Sequence, residues 1–158
     1  MGSLSGYGKT PDEFTIDSLK TASKTIPGAI NEVFEMVEDS GWIEAQLMGD
    51  FKTYSETATD WPMFRKKGNQ VTIYGKISPV ATITGSTTEY TIFTLPEGYR
   101  PSRDVMKICQ GSGTAMWLLR IKTSGVVSFA RYRNVGASGY ADASNTAMLV
   151  FDKTFFVD

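Results

Sequence analysis

Ile16-Asp17-Ser18-Leu19-Lys20-Thr21-Ala22-Ser23-Lys24-Thr25-Ile26-Pro27-Gly28-Ala29-Ile30-Asn31-Glu32-Val33-Phe34-Glu35-Met36-Val37 is the stretch from which the rest of the chain is read. Apolar residues fall at Leu19, Ile26, Ile30, Val33 and Val37, with Ile16 ahead of them and Ser23 in the one vacant place. Spacings that alternate three and four set these side chains on a single seam of a seven-residue repeat. A lone helix of this length is marginal in water and gains its stability by burying the seam. The partner is either the chain's own β domain or identical helices from other copies, and ordinary amphipathic packing competes with a true coiled coil. The expectation carried forward is identical copies in three-fold symmetry, with Leu19, Ile26, Ile30, Val33 and Val37 as the trimer interface.

Pro27-Gly28 interrupts the pattern. Proline inside a helix costs roughly 3 kcal/mol, whereas at the first helical position its missing N–H is harmless. The residue before a proline avoids helical φ/ψ, so Ile26 is expected to cap a helix spanning about Pro27 to Glu38. Gly41 then supplies a stop.

The 158 residues suffice for one cored domain and an appendage. No apolar run approaches the roughly 20 residues of a membrane span, and the N-terminus lacks the basic-then-apolar layout of a signal peptide. Cys109 is the only cysteine, so no internal disulfide is possible, and it reads as a small core residue. The net charge of −1 hides an asymmetry. Residues 1–50 hold three bases against nine acids, and residues 51–158 hold thirteen bases against eight. An acidic lead before a basic β domain suits a C-terminal part that meets anions.

Residues 1–15 are polar and glycine-rich and read as a flexible segment, residues 16–40 as a helical shoulder or stem, and residues 41–158 as a β head. From Trp42 onward short alternating segments are bounded by turn signals. Trp42 to Phe51 reads as a first strand, with Trp42 and Trp61 sealing the base of the β domain. Val71, Ile73, Gly75 and Ile77 alternate with Thr72, Tyr74 and Lys76, which makes a half-buried strand. Further strands are expected at 89–94, 105–110, 116–122, 126–133, 147–152 and 154–157, with turns at Gly111-Ser112-Gly113 and Thr123-Ser124-Gly125. Eight or nine strands without a second helix describe a mainly β chain, an antiparallel barrel or sandwich behind a short helical lead.

Catalytic chemistry finds little support. There is no histidine, which removes the commonest general base and metal ligand. No Cys/His cluster exists for a transition metal, and no sequence spacing pairs two acids for glycoside hydrolysis. No cofactor and no metal is expected. Gly111-Ser112-Gly113 lacks the lysine and following helix of a phosphate loop.

Recognition chemistry is better represented. Arg131 and Arg133 share one face of their strand and lead into a loop that offers Asn134, Tyr140, Asp142 and Asn145. Aromatic rings stack on the apolar faces of sugars. Asn, Asp and Arg orient hydroxyls, and the guanidinium fork suits phosphate. Trp117 is a candidate sugar platform, although its apolar run, Met116 to Leu119, also suits the core. A solvated strand face with an ordinary mobile loop is the competing reading.

Five stretches occur in order within residues 16–158. They are Thr25-Ile26-Pro27-Gly28-Ala29-Ile30-Asn31-Glu32; Trp42 opening the β domain; Phe64-Arg65-Lys66-Lys67-Gly68; Leu95-Pro96-Glu97-Gly98-Tyr99-Arg100-Pro101; and Ile121-Lys122-Thr123-Ser124-Gly125. Together they resemble the receptor-binding proteins of tailed bacteriophages that infect Gram-positive bacteria. The resemblance implies a homotrimer at the tail tip or baseplate of the virion, with a helical shoulder or stem and a β-barrel head. It implies a non-enzymatic head that binds host cell-wall polysaccharide, often phosphate-bearing, in loops or inter-subunit clefts. The N-terminal segment would dock on other phage baseplate or tail proteins, with no nucleic acid bound and no membrane insertion. Family sites use histidine in some cases, and its absence here leaves Arg, Asn, Asp and aromatic residues as contacts. A purely structural tail-fibre or baseplate domain is the second reading, and a glycan depolymerase fragment the third.

Overall fold

The computed structural model describes residues 22–23 and 25–157, without the side chains of residues 35–37. Ile16, Leu19 and the expected flexible segment lie outside the described residues, as does the side chain of Val37. The chain divides into two compact units at Asp39/Ser40.

In the first unit, helix α1 spans Ile26–Val37 and so begins one residue earlier than expected. Thr25 caps it in place of Ile26, its hydroxyl accepting the Gly28 N–H at 3.2 Å. An isoleucine has no oxygen to offer an orphan helix donor, which explains the difference. Pro27 sits in the first turn, where its missing donor is not needed. The Glu32 carboxylate accepts the backbone N–H groups of Ala22 and Ser23, tying the preceding residues to the helix. Ile26, Ile30 and Val33 are exposed on α1, and Phe34 beside them more so at 66 %.

Among its described residues the second unit holds nine strands in two sheets: β1 (Ile43–Glu44), β2 (Phe51–Thr53), β3 (Met63–Lys67), β4 (Gln70–Pro79), β5 (Tyr90–Thr94), β6 (Val105–Gln110), β7 (Ala115–Ile121), β8 (Val126–Asn134) and β9 (Leu149–Phe156). All pairings are antiparallel. In the first sheet β4 is central. β9 runs along one edge of it from Gln70 to Ile77. The other edge is shared end to end, by β3 over residues 70–74 and by β2 over residues 77–79. Gly75 stands where the neighbour changes, and a Cβ there would lie 2.6 Å from Pro62 Cα, so only glycine admits this approach. β1 completes the sheet beyond β3.

The second sheet has the order β5-β8-β7-β6. Its inner face packs on the first through aromatic contacts: Phe93 on Phe151 at 6.1 Å, Trp117 on Phe151 at 6.4 Å and Phe51 on Phe129 at 5.8 Å. Val71, Ile73 and Ile77 are fully buried beneath them, as the alternation in β4 requires. One seam between the sheets is closed by Lys107 of β6, which ion-pairs with the Asp152 carboxylate of β9 and donates to its backbone oxygen at 2.7 Å. The other is bridged by the Met48 N–H bonding Ile92 C=O at 2.8 Å.

That bridge explains a departure from expectation. Trp42 to Phe51 is not one strand: β1 pairs with β3, residues 45–48 cross towards β5, and β2 pairs with β4. The alternation persists along the segment, but its hydrogen-bond partners come from both sheets. The segments expected at 147–152 and 154–157 join instead as the single strand β9. Trp42 does not seal the base. It is 45 % exposed, with the Arg65 guanidinium 5.8 Å from its ring centroid and Tyr74 at its edge. Among the described residues no helix is long and apolar enough to cross a membrane.

Candidate functional site

On the inner face of β8, Val127 and Phe129 are buried. Strict alternation would next send Arg131 and Arg133 into the core. One extra residue averts this. Arg131 and Tyr132 together oppose Trp117, between the register pairs Leu118–Ala130 and Met116–Arg133, forming a β-bulge. Arg131 adopts φ 55, the one positive value at a non-glycine position among the described residues. Beyond it Tyr132 turns inward, 6.3 Å from Phe129, and both arginines emerge into solvent.

They emerge beside a cleft of about 150 Å³ lined by Ile108, Met116, Trp117, Leu118, Arg131, Arg133 and Tyr140. Tyr140 is brought there because the loop after β8 is anchored rather than free. The Ala137 N–H bonds Asn134 C=O at 3.1 Å, and the Ala141 N–H bonds Tyr132 C=O at 2.8 Å. Ile83 and Ala143 exchange two backbone bonds of 2.9 Å. The Asp142 carboxylate accepts the Gly85 N–H at 2.9 Å, so this side chain ties two loops together.

Of the residues singled out from the sequence, Arg131, Arg133, Tyr140 and Trp117 meet in one place, while Asn134, Asp142 and Asn145 do not line it. Trp117 is 1 % exposed, and its indole N–H donates to Gln110 C=O at 2.9 Å. Its ring packs on Phe129 at 5.4 Å. Trp117 thus underlies the cleft and cannot offer a face for stacking. Ile108, Met116 and Leu118 were missed. In Met116 to Leu119 both strand faces are apolar, so one of them has to look outward, and that was the available signal.

The electrostatics of the cleft are simple. Among the described residues no carboxylate pairs with Arg131 or Arg133, and no hydrogen bond holds either guanidinium. Elsewhere on the same sheet face, Arg120 binds Glu89 at 2.8 Å and Asp104 at 2.7 Å, and Lys122 binds Glu89 at 2.7 Å. The Lys122 and Arg120 side chains hold the Glu89 carboxyl below its ordinary value, and Arg120 does the same to Asp104. Burial pushes the Cys109 thiol up to about 11, far from the thiolate a nucleophile needs. Among the described residues no three His, Cys, Asp or Glu side chains gather as a metal site would require.

No family model and no curated protein matches the chain. Among solved structures it is similar to the head domain of phage bIL170, reported in the context of a common fold for lactococcal phage receptor-binding domains. The two are 14 % identical with a TM-score of 0.50, over 74 % of this chain and 97 % of that one. At this identity the likeness is one of fold: an antiparallel β head matching a phage receptor-binding head domain.

Proposed function

We propose that the chain is a phage receptor-binding protein that attaches the virion, at its tail tip or baseplate, to host cell-wall saccharide and performs no catalysis. The observation that carries this reading is the cleft: two guanidiniums with no carboxylate partner among the described residues, beside the half-exposed Tyr140, over an apolar floor. Guanidiniums left open to solvent bind oxyanions and hydroxyls, and a tyrosine ring beside them packs on a sugar face. Asn134 at the end of β8 and Asn145 on the loop beyond it, both exposed, supply further contacts to a longer chain.

A shallow saccharide site buries few ligand atoms and is weak by itself. Trimerisation remedies this, because linked sites raise avidity by roughly 10² to 10⁴. Ile26, Ile30 and Val33, exposed on α1, belong to the stripe read from the sequence, with Leu19 and Val37, that would join three copies. Other tail proteins would be met through the N-terminal segment.

Incubation with purified wall polysaccharide from a Gram-positive host tests the reading. Retention without chain shortening is expected. Absence of retention would leave a structural baseplate or tail-fibre domain, and released oligosaccharide would indicate a depolymerase. Light scattering on the purified protein is expected to give three times the chain mass, and a monomer mass would overturn the trimer.

A further inference from the structure

The cleft contains the one described non-glycine residue with a left-handed backbone, Arg131 at φ 55. In that region the Cβ of an L-residue crowds the following carbonyl. Glycine avoids the penalty, asparagine and aspartate tolerate it, and arginine has no such dispensation. The fold needs an extra residue at the bulge so that Tyr132 can reach its place, packed so tightly that a Cβ on Gly111 would come within 2.6 Å of its ring. It does not need that residue to be arginine. Among the described residues the guanidinium makes no ion pair or hydrogen bond that would stabilise the fold. Arg131 lines the cleft and also borders a narrow gap beside Thr84, Ser86 and Thr88.

Resting on the reading above, we propose that Arg131 is the specificity-determining contact of the cleft, an arginine kept at a backbone position unfavourable to it because its guanidinium reads the ligand. Strain of this kind persists where it serves a site. The chemistry selected is a group with two acceptor oxygens spaced for the guanidinium fork, which an ammonium cannot match.

The test uses the full chain, purified wall polysaccharide as the probe, and the variants Arg131→Gly and Arg131→Lys. Arg131→Gly relieves the backbone and keeps the bulge. Its melting temperature is expected to rise by roughly 2–4 °C while retention weakens roughly tenfold or more. Arg131→Lys is expected to melt with the wild type and still weaken retention, because charge survives but the fork does not. A more stable Arg131→Gly with unaltered retention overturns the proposal, as does an Arg131→Gly that melts lower than the wild type. A wild type that is not retained sinks the receptor reading and this inference with it. A retained wild type beside an indifferent glycine variant sinks the inference alone.

Discussion

Arg120 and the pair Arg131–Arg133 project from the same outward face of the second sheet, and their surroundings differ in one respect, the presence of carboxylates. Arg120 is held by Glu89 and Asp104, with Lys122 completing a network that also reaches the buried Ser128 hydroxyl, 3.4 Å from Glu89. At the other end the two guanidiniums stand over Ile108, Met116 and Leu118 with no acid among the described residues to answer them. A neutralised cation orients its neighbours and has little left for a ligand. A cation beside an apolar floor keeps its hydrogen-bonding capacity for whatever enters.

The largest expected effect comes from below the open end. Trp117→Ala removes a 1 %-exposed ring that touches Phe129 and Phe151 and should destabilise the head by about 3–5 kcal/mol in urea unfolding. Unchanged stability with lost retention would make Trp117 a ligand contact instead of a support. Next, Arg131→Ala with Arg133→Ala should weaken retention on wall polysaccharide by roughly 100-fold at an unchanged melting temperature, while Arg120→Ala leaves retention as it was. If Arg120→Ala cost as much binding, the two ends would not differ in kind.

The smallest effect concerns the closed end and depends on pH. Glu89 and Asp104, ordinarily near 4.5 and 3.8, are held lower in the fold by Lys122 and Arg120. The unfolded chain therefore takes up their protons first, so the network's contribution is complete above about pH 5 and disappears as the pH falls through the lowered values. Arg120→Ala should be slightly less stable than the wild type at neutral pH, with the gap closing in acid. A gap that persisted at pH 2 would show that these carboxylates are not its source.

Much of the closed, ordinary part of the head was legible in the sequence. Val71, Ile73 and Ile77 declare β4 because alternation is a local property of an extended backbone, and Gly111-Ser112-Gly113 and Thr123-Ser124-Gly125 mark turns for equally local reasons. The open end was legible only in part. Arg131, Arg133 and Tyr140 were recognisable by chemical type, yet periodicity carried from Val127 and Phe129 predicts the wrong face for both arginines. The phase shift shows only once Tyr132 is known to be inside. Asp142 has the chemistry of a ligand contact, but its carboxylate is bound to Gly85, fifty-seven residues away in sequence.

From residue order alone came the mainly β class, the helix near the start, most strands and the kind of side chain available for binding, since each depends on neighbours a few bonds away. Which strands pair, where the bulge falls and which charged groups find partners were decided by tertiary structure. Those outcomes depend on hydrogen bonds and contacts between distant segments, such as Met48 with Ile92 and Ile83 with Ala143, whose meeting no local pattern encodes.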